Sequence, residues 1–262
     1  MRYKKKILGI IMAIAMCMTC MAMPCKAKAA EYASNLYVSS LEIQTGHMNG
    51  IEPETYYLKG VVASNAGMDY MEMALYREQD NYNLYRREII NLYDTRTVNF
   101  EDGWWPVVDT LSENAWGNYR VELKIVDNAG HSATRTLYYT VEKSLGSYLA
   151  GLYKYVLLRD PELSGYISNM QSVTYRGVSI DTMVRSFYGS LEYNSKPMPS
   201  NEEFVLSLYR AILGREPDPE GFQNHVNGLY NGASRDALIN VFLYSAEYNY
   251  TVVWDFDIAQ YR

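Results

Sequence analysis

Two hydrophobic periods divide this chain, and the change falls between residues 143 and 147. Before it, Tyr119, Val121, Leu123 and Ile125 are interleaved with Arg120, Glu122 and Lys124. That is the alternation of a strand buried on one face. Leu137, Tyr139 and Val141 repeat it beyond the turn residues Asp127-Asn128-Ala129-Gly130, and Met71, Met73 and Leu75 show it earlier. Tyr56 to Ala63 is a near-continuous apolar and β-branched run. Counting also residues 36–43, 82–92 and 96–100, the pattern predicts about seven strands within 35–143, the density of a small β-sandwich.

After residue 147 the period becomes helical. Leu149, Leu152, Tyr153, Val156 and Leu157 fall at i, i+3, i+4, i+7 and i+8, one apolar stripe. Val205, Leu208, Tyr209, Ile212 and Leu213 form the same stripe again, behind the Ser-x-x-Glu capping box Ser200–Glu203. The whole segment recurs, with Arg159, Gly165, Ser179 and Glu192 matched by Arg215, Gly221, Ser234 and Glu247. A second helix carries Tyr166, Met170 and Val173, or Phe222, Val226 and Leu229. A third starts at Ser179 or Ser234, with Asp181 or Asp236 near the positive end of its dipole. Its expected buried stripe is Met183, Val184, Phe187 and Leu191, against Leu238, Ile239, Phe242 and Ala246. The expectation is therefore α+β as separate domains: an all-β sandwich at 35–143, a two-copy helical repeat at 147–250 (147–195 and 200–250), and a short tail at 251–262. Neither copy has core enough to stand comfortably alone, so the two should pack together.

The ends of the chain change the picture of charge and compartment. Lys4-Lys5-Lys6, an apolar block from Ile7 to about Met16 and Ala27-Lys28-Ala29 are the three parts of a secretory signal peptide, residues 1–29. Thr19, Pro24 and Lys26 interrupt the apolar run too early for a spanning helix. Cys17, Cys20 and Cys25 all lie in this segment, so the processed chain has neither disulfide nor thiolate nucleophile. It also loses six basic residues, leaving 18 basic against 30 acidic, or −12. Such a balance repels phosphate backbones and argues against nucleic acid as a partner.

Candidate chemistry is sparse. His47, His131 and His225 are far apart, and no nucleophile elbow, zinc helix or phosphate loop occurs. No catalytic residue, cofactor or metal site is assigned. Asp127, Asn128 and Asp109 offer oxygens for calcium, but Asp-Asn-Ala-Gly is also ordinary hairpin-turn chemistry with Gly130 at positive φ. Trp104, Trp105 and Trp116 are read at loop ends, where they either pack at a corner or stack on sugar rings. The recurring Arg159/Arg215 and Glu192/Glu247 suit helix ends by electrostatics alone, and each Arg is expected to pair with the Glu of its own copy.

Two resemblances follow from these residues. Gly117-x-Tyr119-x-Val121 resembles the tyrosine corner of immunoglobulin-like domains, with Val121 where a cysteine often stands. Leu208-Tyr209, Leu213, Arg215, Pro217, Asp218, Gly221, then Gly232, Ser234, Phe242 and Ser245-x-Glu247-Tyr248 resemble the bacterial family called domain of unknown function 4214, itself similar to the phycobilisome linker domain. The first copy resembles it less, with Leu158 where the second has Gly214. The resemblance implies an all-helical module of exported and surface proteins with no agreed activity. The chain is thus expected to be an exported, non-enzymatic binding or scaffolding protein, secreted or held at the bacterial surface. Its partner would be a cell-surface glycan or a protein, and a purely structural envelope component is the remaining reading.

Overall fold

The computed structural model describes residues 36–45, 56–102, 105–253 and 258–262. The proposed signal segment, His47, Trp104, Trp254 and Phe256 lie outside them. The described residues fall into two compact units, one drawn from 36–45, 56–78, 82–102, 105–112 and 118–140, the other from 79–81, 113–117, 141–253 and 258–262. The first is β-rich and the second helical.

Nine strands occur among the described residues: β1 (Tyr37–Val38), β2 (Glu42–Thr45), β3 (Tyr56–Lys59), β4 (Val61–Ala63), β5 (Met68–Arg77), β6 (Asn83–Asn91), β7 (Thr97–Asn99), β8 (Gly117–Asp127) and β9 (Ser132–Val141). They make sheets ordered β1-β4-β7, β2-β3 and β6-β5-β8-β9. The single apolar run Tyr56–Ala63 is split between two sheets at Gly60, whose φ is +127° and where a Cβ would stand 2.6 Å from the Ser40 carbonyl oxygen. Only glycine fits both demands. Consequently β3 pairs with β2, whereas β4 lies between β1 and β7.

The predicted alternation sets the core of the four-stranded sheet. Met71, Met73 and Leu75 of β5 face inward with Tyr119, Val121, Leu123 and Ile125 of β8, all essentially inaccessible. In register, Leu75 lies opposite Val121 and Met73 opposite Leu123. Tyrosines fill the rest of this core. Tyr119 meets Tyr85 edge-on at 5.2 Å and Tyr139 at 5.3 Å, and Tyr139 meets Tyr56 at 5.3 Å. Such tilted contacts suit the ring quadrupole better than a face-to-face sandwich.

Short helical stretches depart from the all-β expectation, among them a 3-10 turn at Phe100–Asp102 and a longer element just after it. Residues Trp105–Ser112 form a helix, α1, with Val107, Val108 and Leu111 buried. Pro106 in its first turn forgoes no helical hydrogen bond, and Tyr139 donates its hydroxyl to the Leu111 carbonyl at 3.1 Å. Eight residues are too few to display a helical period between strands, which is why the sequence reads there as loop.

The helical unit contains α2 (Leu145–Tyr155), α3 (Leu163–Arg176), α4 (Ile180–Tyr188), α5 (Leu191–Ser195), α6 (Asn201–Leu208), α7 (Pro219–Tyr230) and α8 (Arg235–Leu243), with π-helical turns at Tyr209–Leu213 and Tyr248–Val253. The correspondence between its halves begins earlier than the apolar stripe suggests. Ser144 and Ser200, 56 residues apart, both open capping boxes, the first closed by Ser147 and the second by Glu203. Ser179 and Ser234 accept from the backbone N–H three residues on, as expected of N-caps. Leu149, Leu152, Val205, Leu208 and Ile212 are fully buried.

Leu191 is not part of the buried stripe: it is 91% exposed, and Ala246 is exposed too. Helix α4 stops at Gly189, and Ser190 caps a fresh short helix through Tyr193 N–H. The restart breaks the helical phase, so Tyr188 and Leu243 take the inward positions instead. Helix starts differ in one instructive place. Asp218 caps α7 by accepting from Gly221 N–H at 2.8 Å, whereas Glu162, its counterpart before α3, makes no such bond. Glu162→Asp is expected to stabilise the protein by about 0.5–1 kcal/mol, read as a raised urea midpoint with an unchanged slope.

Candidate functional site

The recurring residues assemble into two matching clusters. In the first, Arg159 donates to Glu192 through Nε (2.6 Å) and Nη2 (2.9 Å), and its guanidinium lies 5.0 Å from the Tyr153 ring centre. Tyr153 in turn meets Phe187 edge-on at 5.0 Å. In the second, Arg215 donates to both oxygens of Glu247, with Nη2 to Oε2 at 2.7 Å, and lies 5.0 Å from the Tyr209 ring, which meets Phe242 at 4.9 Å. Both expected Arg–Glu pairs are thus present, and each ties the end of α2, or the turn after α6, to the segment that follows α4 or α8. Hydrogen bonds from Arg159 hold the Glu192 carboxyl below its usual range, against the partial burial that would raise it.

The same tyrosines explain the recurring glycines. A Cβ at Gly165 would stand 2.9 Å from the Tyr153 hydroxyl, and one at Gly221 would stand 2.6 Å from that of Tyr209. Gly165 and Gly221 therefore let the second helix approach the tyrosine of the first. These fork-shaped pairs are partly exposed, so solvent weakens them. In a double-mutant cycle of Arg215→Ala and Glu247→Ala the coupling is expected to be about 1 kcal/mol. Strict additivity in urea unfolding would remove the pair from the stability of the unit.

Other polar groups are similarly engaged. Asp181 accepts from the Tyr248 hydroxyl at 3.1 Å and from Arg262 Nε at 3.2 Å, bonds that the sequence did not suggest. Asp127 sits buried in its hairpin turn and accepts from Ser64, the Ala129 and His131 amides, and a ring nitrogen of His131 at 3.0 Å. Gly130 has φ +83°, as the turn reading requires. No group of three or more metal-ligating side chains occurs among the described residues. His225 rests between Tyr209 and Phe242, and burial pushes its pKa down against the pull of Asp218.

Of the three tryptophans singled out in the sequence, Trp104 lies outside the described residues. Trp105 opens α1. Trp116 is half-buried in the helical unit, its indole against the α-carbon of Gly214, with Lys143 Nζ 4.6 Å from the ring centre. Gly214 follows Leu213 at φ +67°, and its counterpart Leu158 adopts φ +53° although it is not glycine.

Open grooves lie among the described residues. One, of about 380 Å³, is lined by Gln44, Thr45, Tyr56, Tyr138, Tyr139 and Thr140, with Ile43 beside them. The other, of about 370 Å³ in the helical unit, runs between Tyr155–Leu158, Pro197–Pro199 and Leu206. Sequence reading found neither, because each is lined by residues far apart in the chain.

Comparison with known proteins adds a partial assignment. No curated protein matches the chain. Among solved structures, OgpA from Akkermansia muciniphila is similar at 10% identity over 45% of this chain and 31% of its own, with a TM-score of 0.25. This chain therefore spans about a third of the length of OgpA. CopC from Methylosinus trichosporium OB3b is similar at 13% identity over 40% of this chain and 92% of its own, with a TM-score of 0.24. Residues 184–252, from within α4 through the whole second segment, match the family described as Domain of unknown function (DUF4214), so the chain carries one copy of that domain.

Proposed function

We propose that this is an exported, non-enzymatic binding or scaffolding protein that works outside the bacterial cell or on its surface. In this reading the β-rich unit is an immunoglobulin-like sandwich, and the helical unit is a tandem pair of which 147–195 is a divergent first copy. The observation that carries it is the use made of the recurring polar residues. Arg159, Glu192, Arg215 and Glu247 bond one another, and Ser179 and Ser234 bond helix termini. The most regular polar pattern in the sequence is thus engaged in holding the fold, and the grooves are left as the surfaces on which to bind.

Export is supported by the basic start, apolar block and Ala-x-Ala site of residues 1–29. Fractionation of cells expressing the full chain tests it: the protein should leave the cytoplasm, and polar replacement of the apolar block at 7–16 should retain it. Equal export of both forms would overturn the reading. A second reading, assembly in the envelope, is favoured by Leu158, Leu191 and Met198, which are 76%, 91% and 71% exposed.

A further inference from the structure

The groove bounded by β2 and β9 has the chemistry of a sugar site. Tyr138 presents a flat aromatic face, 70% exposed, while its neighbour Tyr139 is buried and anchors the floor with Tyr56. Tyrosine offers the apolar face of a sugar ring a rigid partner with little rotamer freedom to lose. Around it stand one amide and two threonine hydroxyls, Gln44, Thr45 and Thr140.

Two of these polar groups are already oriented. The Tyr57 hydroxyl donates to Gln44 Oε1 at 3.2 Å, and Gln44 Nε2 donates to Glu42 at 3.4 Å, which sets the amide and leaves an N–H free to donate. Thr140 donates its hydroxyl to Asn118 at 2.8 Å, so its oxygen remains an acceptor. Vicinal sugar hydroxyls need such a mixture of donors and acceptors.

What lines the groove also restricts the ligand. None of its described lining residues is charged, which disfavours phosphates, carboxylates and ammonium groups. Ile43 is its one described aliphatic residue, too little for a hydrocarbon chain. The volume of about 380 Å³ falls within the ~300–1,000 Å³ of small-ligand clefts.

We infer that this groove binds a neutral saccharide, with Tyr138 stacking on a ring and Gln44 and Thr140 bonding its hydroxyls. The inference rests on the binding reading above and makes Tyr138 the stacking ring.

The full-length protein is screened on an array of neutral and acidic saccharides, and hits are titrated by calorimetry. A neutral saccharide should bind. Tyr138→Ala should weaken it at least about tenfold and Gln44→Ala several-fold, whereas Tyr138→Trp should retain it. Because Tyr138 is largely exposed, unchanged thermal unfolding should show that the alanine variant is folded. Absence of any saccharide binding, unchanged affinity in Tyr138→Ala, or preference for acidic saccharides would each overturn the inference. Cell fractionation judges the export reading separately, so the two failures are distinguishable.

Discussion

Gly214→Ala is expected to destabilise the helical unit by about 3 kcal/mol. Two effects act together there. The backbone is left-handed at φ +67°, where a Cβ costs about 1–2 kcal/mol in L-residues. A Cβ would also stand 2.6 Å from Cζ2 and 2.7 Å from Cε2 of Trp116, well inside van der Waals contact. The first segment separates these effects, because Leu158 occupies the equivalent position at φ +53° and is 76% exposed. Left-handed backbone alone is therefore tolerated, and the indole makes position 214 demand glycine. In a Trp116→Ala background the same substitution should lose only the conformational part, about 1–2 kcal/mol. Chemical unfolding of the four proteins measures this. Equal losses in both backgrounds would show that Trp116 does not constrain Gly214.

Asp127→Ala is expected to cost about 3 kcal/mol, because it strands the buried Ser64 hydroxyl and two turn amides that the carboxylate now accepts from. Asp127→Asn keeps the shape and, through Oδ1, the two turn amides. It loses the charge and turns the oxygen that faces Ser64 and His131 into an N–H donor, to which both can answer as acceptors, so it should cost about half as much. Acid should reveal the difference. Burial by itself would raise this carboxyl, but hydrogen bonds from Ser64 and from the ring and backbone of His131, with the nearby imidazole, hold it below its ordinary value of 3.8. A depressed folded-state pKa contributes stability above the unfolded value and loses it as pH falls through the folded one. The urea midpoints of the native protein and Asp127→Asn should accordingly differ at neutral pH and converge as pH drops below 3.8. A constant gap across that range would mean that the charge of Asp127 does not stabilise the turn.

Much of the architecture was legible because it depends on local period. Alternation at Tyr119–Ile125 and the stripe at Leu208–Leu213 each name a buried face, since side-chain direction follows backbone geometry. The repeat made Arg215 and Glu247 visible as partners, and the structure joins them. Other elements fell below what period can show. Helix α1 is too short, and the restart at Ser190 depends on one cap, so the helical period puts Leu191 inside although it lies outside. The division of Tyr56–Ala63 depends on Ser40, a residue remote from Gly60 in sequence.

Spacing along the chain shows where the strands give way to helices, which faces are buried, and that Arg159, Gly165, Ser179 and Glu192 have counterparts in Arg215, Gly221, Ser234 and Glu247. These are consequences of spacing within a single element. The tertiary structure alone decided why Gly221 must face Tyr209, why Gly214 lies beneath Trp116, and that Gln44, Tyr138 and Thr140 share one groove. Such juxtapositions depend on how distant elements close on one another, and no local pattern encodes that distance.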